Sequence, residues 1–184
     1  MLELIVRETN RYHHVKFGKE LYATVEEIYQ VLGIFLLSGY NEVPNRRFFW
    51  SKQAYTQNLA VIQSGMTLNR FEEIVRSLHF VDNSKKDESD RLFKIRPLFD
   101  HFSKIFKDDA QPLLMTWAID EAMEQYYGRH GFKQFIRGKP IRFGVRFWCL
   151  CSHEGLLINF KLYEGKDSGY SEGMTIGVCC RNIS

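Results

Sequence analysis

Residues 141–163 read IRFGVRFWCLCSHEGLLINFKLY, and this pattern decides the fold class. Side chains along a strand alternate between its faces, so Ile141, Phe143, Val145, Phe147 and Cys149 share one face. Leu156, Ile158, Phe160 and Leu162 share one face in the second half. Between the two runs, His153-Glu154-Gly155 reads as a turn, so the stretch predicts a hairpin of strands 141–151 and 156–163. A further strand is expected upstream: Leu113-Leu114-Met115-Thr116-Trp117-Ala118-Ile119 is a short apolar run after Pro112 that ends at Asp120.

Ahead of the strands the period changes from two to between three and four. Thr24 has Glu27 three residues on, the spacing of a capping box. Val25, Ile28, Val31, Leu32, Phe35 and Leu36 then predict a helix over 24–38, with Gly39 ending it. Pro44 opens a second helical stretch with Phe48, Phe49 and Trp50 as its aromatic face. Thr67 caps a helix over 67–80, and 92–106 returns to helical period with Pro97 in its first turn. The run 82–90 holds no apolar residue and is a surface loop; residues 1–23 are weakly patterned. The reading is α+β, with a helical region over 1–110 followed by strands over 111–184.

The chain has 184 residues, 45% of them apolar and 26% charged, which excludes wholesale disorder, collagen and a disulfide miniprotein. Four Cys without metal-ligand spacing indicate a reducing compartment. The apolar stretch 28–37 is interrupted and far below the ~20 residues of a membrane span. The formal net charge of +3 conceals an asymmetry. No acidic residue lies between Glu124 and Glu154, and that window holds Arg129, Lys133, Arg137, Lys139, Arg142 and Arg146. It is +6, so the rest of the chain is −3. Tyr126, Tyr127, Phe132, Phe135, Phe143, Phe147 and Trp148 interleave with the cations. Clustered Lys and Arg provide phosphate affinity, so this is either a nucleic-acid footprint or a solvated hairpin face whose aromatics are core. Alternation puts Arg142 and Arg146 opposite Phe143 and Phe147. Asp120 also has two readings: a metal-binding carboxylate at a strand end, or the N-cap of a helix starting at Glu121.

Several blocks together resemble the piggyBac transposase family: Trp117-Ala118-Ile119-Asp120-Glu121-Ala122-Met123, Gly128-Arg129-His130, Lys133-Gln134-Phe135 and Gly138-Lys139-Pro140-Ile141-Arg142-Phe143-Gly144. So do Asn69-Arg70-Phe71-Glu72, Leu78-His79-Phe80-Val81-Asp82-Asn83, Lys94-Ile95-Arg96-Pro97-Leu98 and Tyr163-Glu164-Gly165-Lys166, in family order over about 24–166. The resemblance implies cut-and-paste DNA enzymes with an RNase H-like catalytic domain behind a helical dimerisation and DNA-binding region. It implies three Asp residues holding two divalent ions, usually Mg²⁺, with Asp120 as the first. It also implies double-stranded DNA at transposon ends as partner, a possible homodimer, a nuclear location and no membrane.

The family's second and third Asp lie beyond its third strand, and a Cys-rich zinc domain usually follows. This sequence ends at Ser184, 64 residues after Asp120, with Asp167 in a loop between Gly165 and Gly169. The expectation is therefore a transposase-derived fragment carrying the first three strands of a truncated RNase H-like sheet. It would bind DNA at most, through the six cations, with Mg²⁺ not stably held. The alternatives are an incomplete copy of an active DDE/D transposase and a non-catalytic dimerisation module.

Overall fold

The computed structural model describes residues 1–41, 43, 45–51, 62, 65–110, 117–152 and 155–164. The chain divides into two compact units, Met1–Leu98 and Phe99–Ser184.

The first unit is helical. Helix α1 spans Leu2–Phe17, α2 Val25–Tyr40 and α3 Leu68–Ser77, with short 3-10 turns at Arg46–Trp50 and Asn83–Lys85. Helix α1 lies in the stretch that reads as unpatterned because its buried positions are mostly polar: Glu8, Thr9 and His13 accompany Ile5. Buried polar groups require partners, and each has one. Glu8 pairs with Arg7 and Arg11, and Arg11 also reaches Asp82 at 2.7 Å. Thr9 Oγ1 accepts the His79 backbone N–H at 3.2 Å, and His13 Nδ1 lies 2.8 Å from Ser77 Oγ. Gly18 closes α1 in the left-handed region at φ 65°, its N–H bonding the His14 carbonyl.

Thr24 caps α2 as its sequence predicts. Its hydroxyl accepts the Glu27 N–H and the Glu27 carboxylate accepts the Thr24 N–H. The helix runs through Gly39, the expected terminator, to Tyr40. Asn41 Nδ2 donates to the Leu37 carbonyl at 2.9 Å and satisfies the last turn instead. Ile28, Val31 and Ile34 pack with Ile5, Phe49, Ile62, Met66, Phe71 and Ile74 in the core. The aromatic stretch after Pro44 is only one 3-10 turn; Phe49 is buried, Phe48 is exposed, and Pro44 lies outside the described residues. Helix α3 starts after Thr67, which accepts the Arg70 N–H. Arg70 then ties α3 to α2 through both oxygens of Glu27 and to the loop through the Leu21 carbonyl.

Helix α4, Arg96–Ala110, begins later than residue 92 because a turn over 91–95 precedes it, and Pro97 is in its first turn as expected. The border between units falls inside α4, ahead of the pattern change at residue 110. The aromatic face explains this: Phe99 packs on Phe147 and Phe160, and Phe106 on Phe160.

The second unit is an antiparallel sheet. Strand β1 is Trp117–Gln125, β2 Lys133–Phe135, β3 Phe143–Ser152 and β4 Leu157–Leu162. Strand β3 is central, with β1 along one edge and both β2 and β4 along the other. The hairpin of β3 and β4 matches the sequence pattern. The first expected strand does not end at Asp120 but continues to Gln125; Leu113 to Thr116 lie outside the described residues. The three-residue β2 is additional to the strands expected. A register shift at Leu150/Cys151 also breaks the expected single face of β4. Ile158 clusters with Leu150, while Phe160 and Leu162 lie opposite Cys149 and Phe147.

Candidate nucleic-acid interface

Strand β2 and the start of β3 form a small hairpin at one end of the sheet. Lys133 lies opposite Val145, Gln134 opposite Gly144 and Phe135 opposite Phe143. The Ile136 N–H bonds the Arg142 carbonyl at 2.9 Å and closes the loop between them. Gly138, at φ 91°, takes the turn conformation that other residues resist. Arg137 and Lys139 flank it at the tip, and Arg142 stands at the base. Phe132 is buried beside the His130 ring and anchors the incoming chain.

Arg129, Arg137 and Arg142 are exposed, and Lys133 and Lys139 are partly exposed. Among the described residues, no carboxylate forms an ion pair with any of these five. Paired cations have part of their charge cancelled at short range; these keep theirs available.

Arg146 is different. Its side chain is only 19% exposed, and its guanidinium lies 3.2 Å from Glu121 Oε1 and 3.7 Å from the centroid of the Tyr163 ring. Trp148 adds a second ring at 5.5 Å, and Nε is buried. The residue braces β1, β3 and the end of β4 and does not present a free charge. Strand parity predicts its side of the sheet correctly but carries no sign of Glu121 or Tyr163 closing over it. That signal becomes available only with the β1–β3 register, which brings Glu121 opposite Trp148 and Met123 opposite Arg146.

Asp120 lies mid-strand in β1, opposite Cys149, and is exposed. Its Oδ1 accepts the Glu121 N–H at 2.7 Å. Glu121 continues the strand, so the N-cap reading of Asp120 does not hold. Alternation sends Glu121 to the opposite face, where it meets Arg146, and leaves Glu124 and Cys149 on the face of Asp120. The Cys149 thiol is pushed up by burial first, then by the neighbouring Cys151, Asp120 and Glu124. A carboxylate suits a hard divalent ion by donor type. By number the set does not suffice, because no group of three His, Cys, Asp or Glu side chains gathers among the described residues. Asp167, Cys179 and Cys180 lie outside them. No described helix is long and apolar enough to cross a membrane.

The sequence model of the family described as Transposase IS4 matches residues 1–179. The human PiggyBac transposable element-derived protein 3 is 41% identical over 167 residues, 91% of this chain and 28% of that protein. The human PiggyBac transposable element-derived protein 2 is 39% identical over 164 residues, 89% of this chain and 27% of that protein. The chain thus spans little more than a quarter of the length of these relatives. A cryo-EM structure of a piggyBac transposase synaptic complex with hairpin DNA matches 100% of this chain and 40% of its own, at a TM-score of 0.81 and 23% identity. That likeness concerns the fold.

Proposed function

Because this chain belongs to the piggyBac-type Transposase IS4 family, we propose that its second unit binds duplex DNA through the β2–β3 hairpin and does not cut it unaided. The observation that carries the reading is the set of five cations, Arg129, Lys133, Arg137, Lys139 and Arg142, without carboxylate partners among the described residues. Phosphate contacts of this kind supply affinity and position but little sequence choice. Arg146 contributes by holding the sheet beneath the hairpin.

Asp120 is the residue that the family resemblance assigns to the metal site. A two-ion phosphoryl-transfer centre clamps both the attacking and the leaving oxygen, which takes more than one carboxylate. Among the described residues no group of three ligating side chains gathers at Asp120, which supports binding without cleavage. A nuclear site of action and dimerisation through the helical unit accompany the same reading.

The test is duplex binding by the 184-residue chain, followed by fluorescence anisotropy. Arg137→Glu with Lys139→Glu should weaken binding at least about tenfold, since a phosphate that no cation neutralises keeps its condensed counterions. Asp120→Ala should leave affinity unchanged, and added Mg²⁺ should produce no nicks in the wild type. Unchanged affinity in the double reversal, or nicking that Asp120→Ala abolishes, contradicts the reading.

A further inference from the structure

The hairpin carries an aromatic pair as well as cations. Phe135 and Phe143 are direct cross-strand partners, their ring centroids 4.8 Å apart and their planes inclined by 39°. Cross-strand aromatic pairs stabilise a short hairpin, which accounts for their mutual contact. It does not account for their exposure: Phe135 is 58% and Phe143 51% accessible, and Tyr127 nearby is 80% accessible. Exposed apolar rings are costly in water, and these sit where the chain collects positive charge. Lys133 Nζ lies 5.5 Å from the Phe143 ring centroid, on the same face of the hairpin. Arg142 directly precedes Phe143, and Arg137 and Lys139 occupy the tip beyond it.

Proteins that grip unpaired nucleic acid combine these two elements, a cationic track for the backbone and aromatic rings on which bases stack. Bases inside an intact duplex are already stacked on each other and offer a flat ring nothing comparable. We infer that Phe135 and Phe143 form a stacking platform for unpaired bases, so that the hairpin prefers DNA with a locally opened or single-stranded segment over fully paired duplex. The inference rests on the DNA-binding reading above and specifies the form of DNA that the site takes. The phosphates flanking an opened segment go to Lys133 beside the rings and to Arg137 and Lys139 at the tip, and its bases to the two rings.

The experiment compares two probes of equal length by anisotropy: a fully paired duplex, and the same duplex carrying a central run of unpaired thymines. The wild-type chain should bind the opened probe about tenfold more tightly for each base stacked. Phe135→Leu with Phe143→Leu keeps the apolar bulk of the hairpin but removes the π-faces. It should bind both probes alike. Phe135→Tyr with Phe143→Tyr should restore the preference, which a loss of folding could not do. Equal wild-type affinity for the two probes, or a preference that survives in the Leu variant, overturns the platform and leaves the duplex reading standing. Binding to neither probe overturns both.

Discussion

Gly144 sits where the backbone of β1 approaches β3 closely. A Cβ built there would lie 2.1 Å from the Glu124 carbonyl oxygen, a backbone atom that cannot step aside without breaking the ladder. Gly144→Ala should therefore cost roughly 1–3 kcal/mol, the range of overpacking in a tight interior. Urea unfolding checks it; a wild-type midpoint would show that the strands part more easily than this close approach implies. Arg146 makes a second prediction at this scale. Arg146→Ala should lower the melting temperature because it leaves Glu121 without its partner, whereas Arg142→Ala should not; equal melting curves would contradict the brace. Neither role is legible in the sequence alone. Gly144 reads as one more glycine, and Arg146 reads as one more cation in a basic run, until the register brings Glu124 and Glu121 beside them.

The elements differ in how openly their sequences declare them. Helices α2 and α3 are announced by Thr24 and Thr67 with apolar residues at helical spacing behind them, and the hydroxyls do cap. Thr24→Ala should lose about 1 kcal/mol, measurable by urea titration, and no loss would show that Glu27 and Arg70 hold the turn without it. Helix α1 gives no such signal, because it buries Glu8, Thr9 and His13 where pattern reading looks for leucine or valine. Its partner His79 stacks on Tyr12 with centroids 3.4 Å apart. Burial holds the imidazole below its ordinary value of 6.5, against the Ser77 carbonyl and with Lys94 and Lys16 reinforcing the shift. The folded form thus resists a proton that the unfolded chain accepts. Stability should fall as pH drops through the ordinary value toward the lowered one, and level off beneath it. The decline in urea midpoint below pH ~6.5 should diminish in His79→Gln; an identical decline would assign the proton elsewhere. In β4 the register shift at Leu150/Cys151 defeats a parity argument that holds for β3, since one extra residue sends Ile158 toward Leu150.

At the scale of the whole molecule, the chain divides into a helical unit and a unit built on the sheet. The α+β class is visible in the change of period, and the basic window is visible in a composition count. What the count could not reveal is the division within that window: five cations are without carboxylate partners among the described residues, while the sixth, Arg146, is packed between Glu121 and Tyr163. In the proposed binding mode the five act together on phosphates. The most direct test is the dependence of duplex affinity on salt, for the wild type and for Arg137→Glu with Lys139→Glu and Arg142→Glu. Each phosphate neutralised contributes about −0.9 to the slope of log K against log salt, so the wild type should show a slope of roughly −3 to −5. The triple variant should be shallower by at least ~2. A wild-type slope near zero, or a slope the three reversals leave unchanged, would contradict the account.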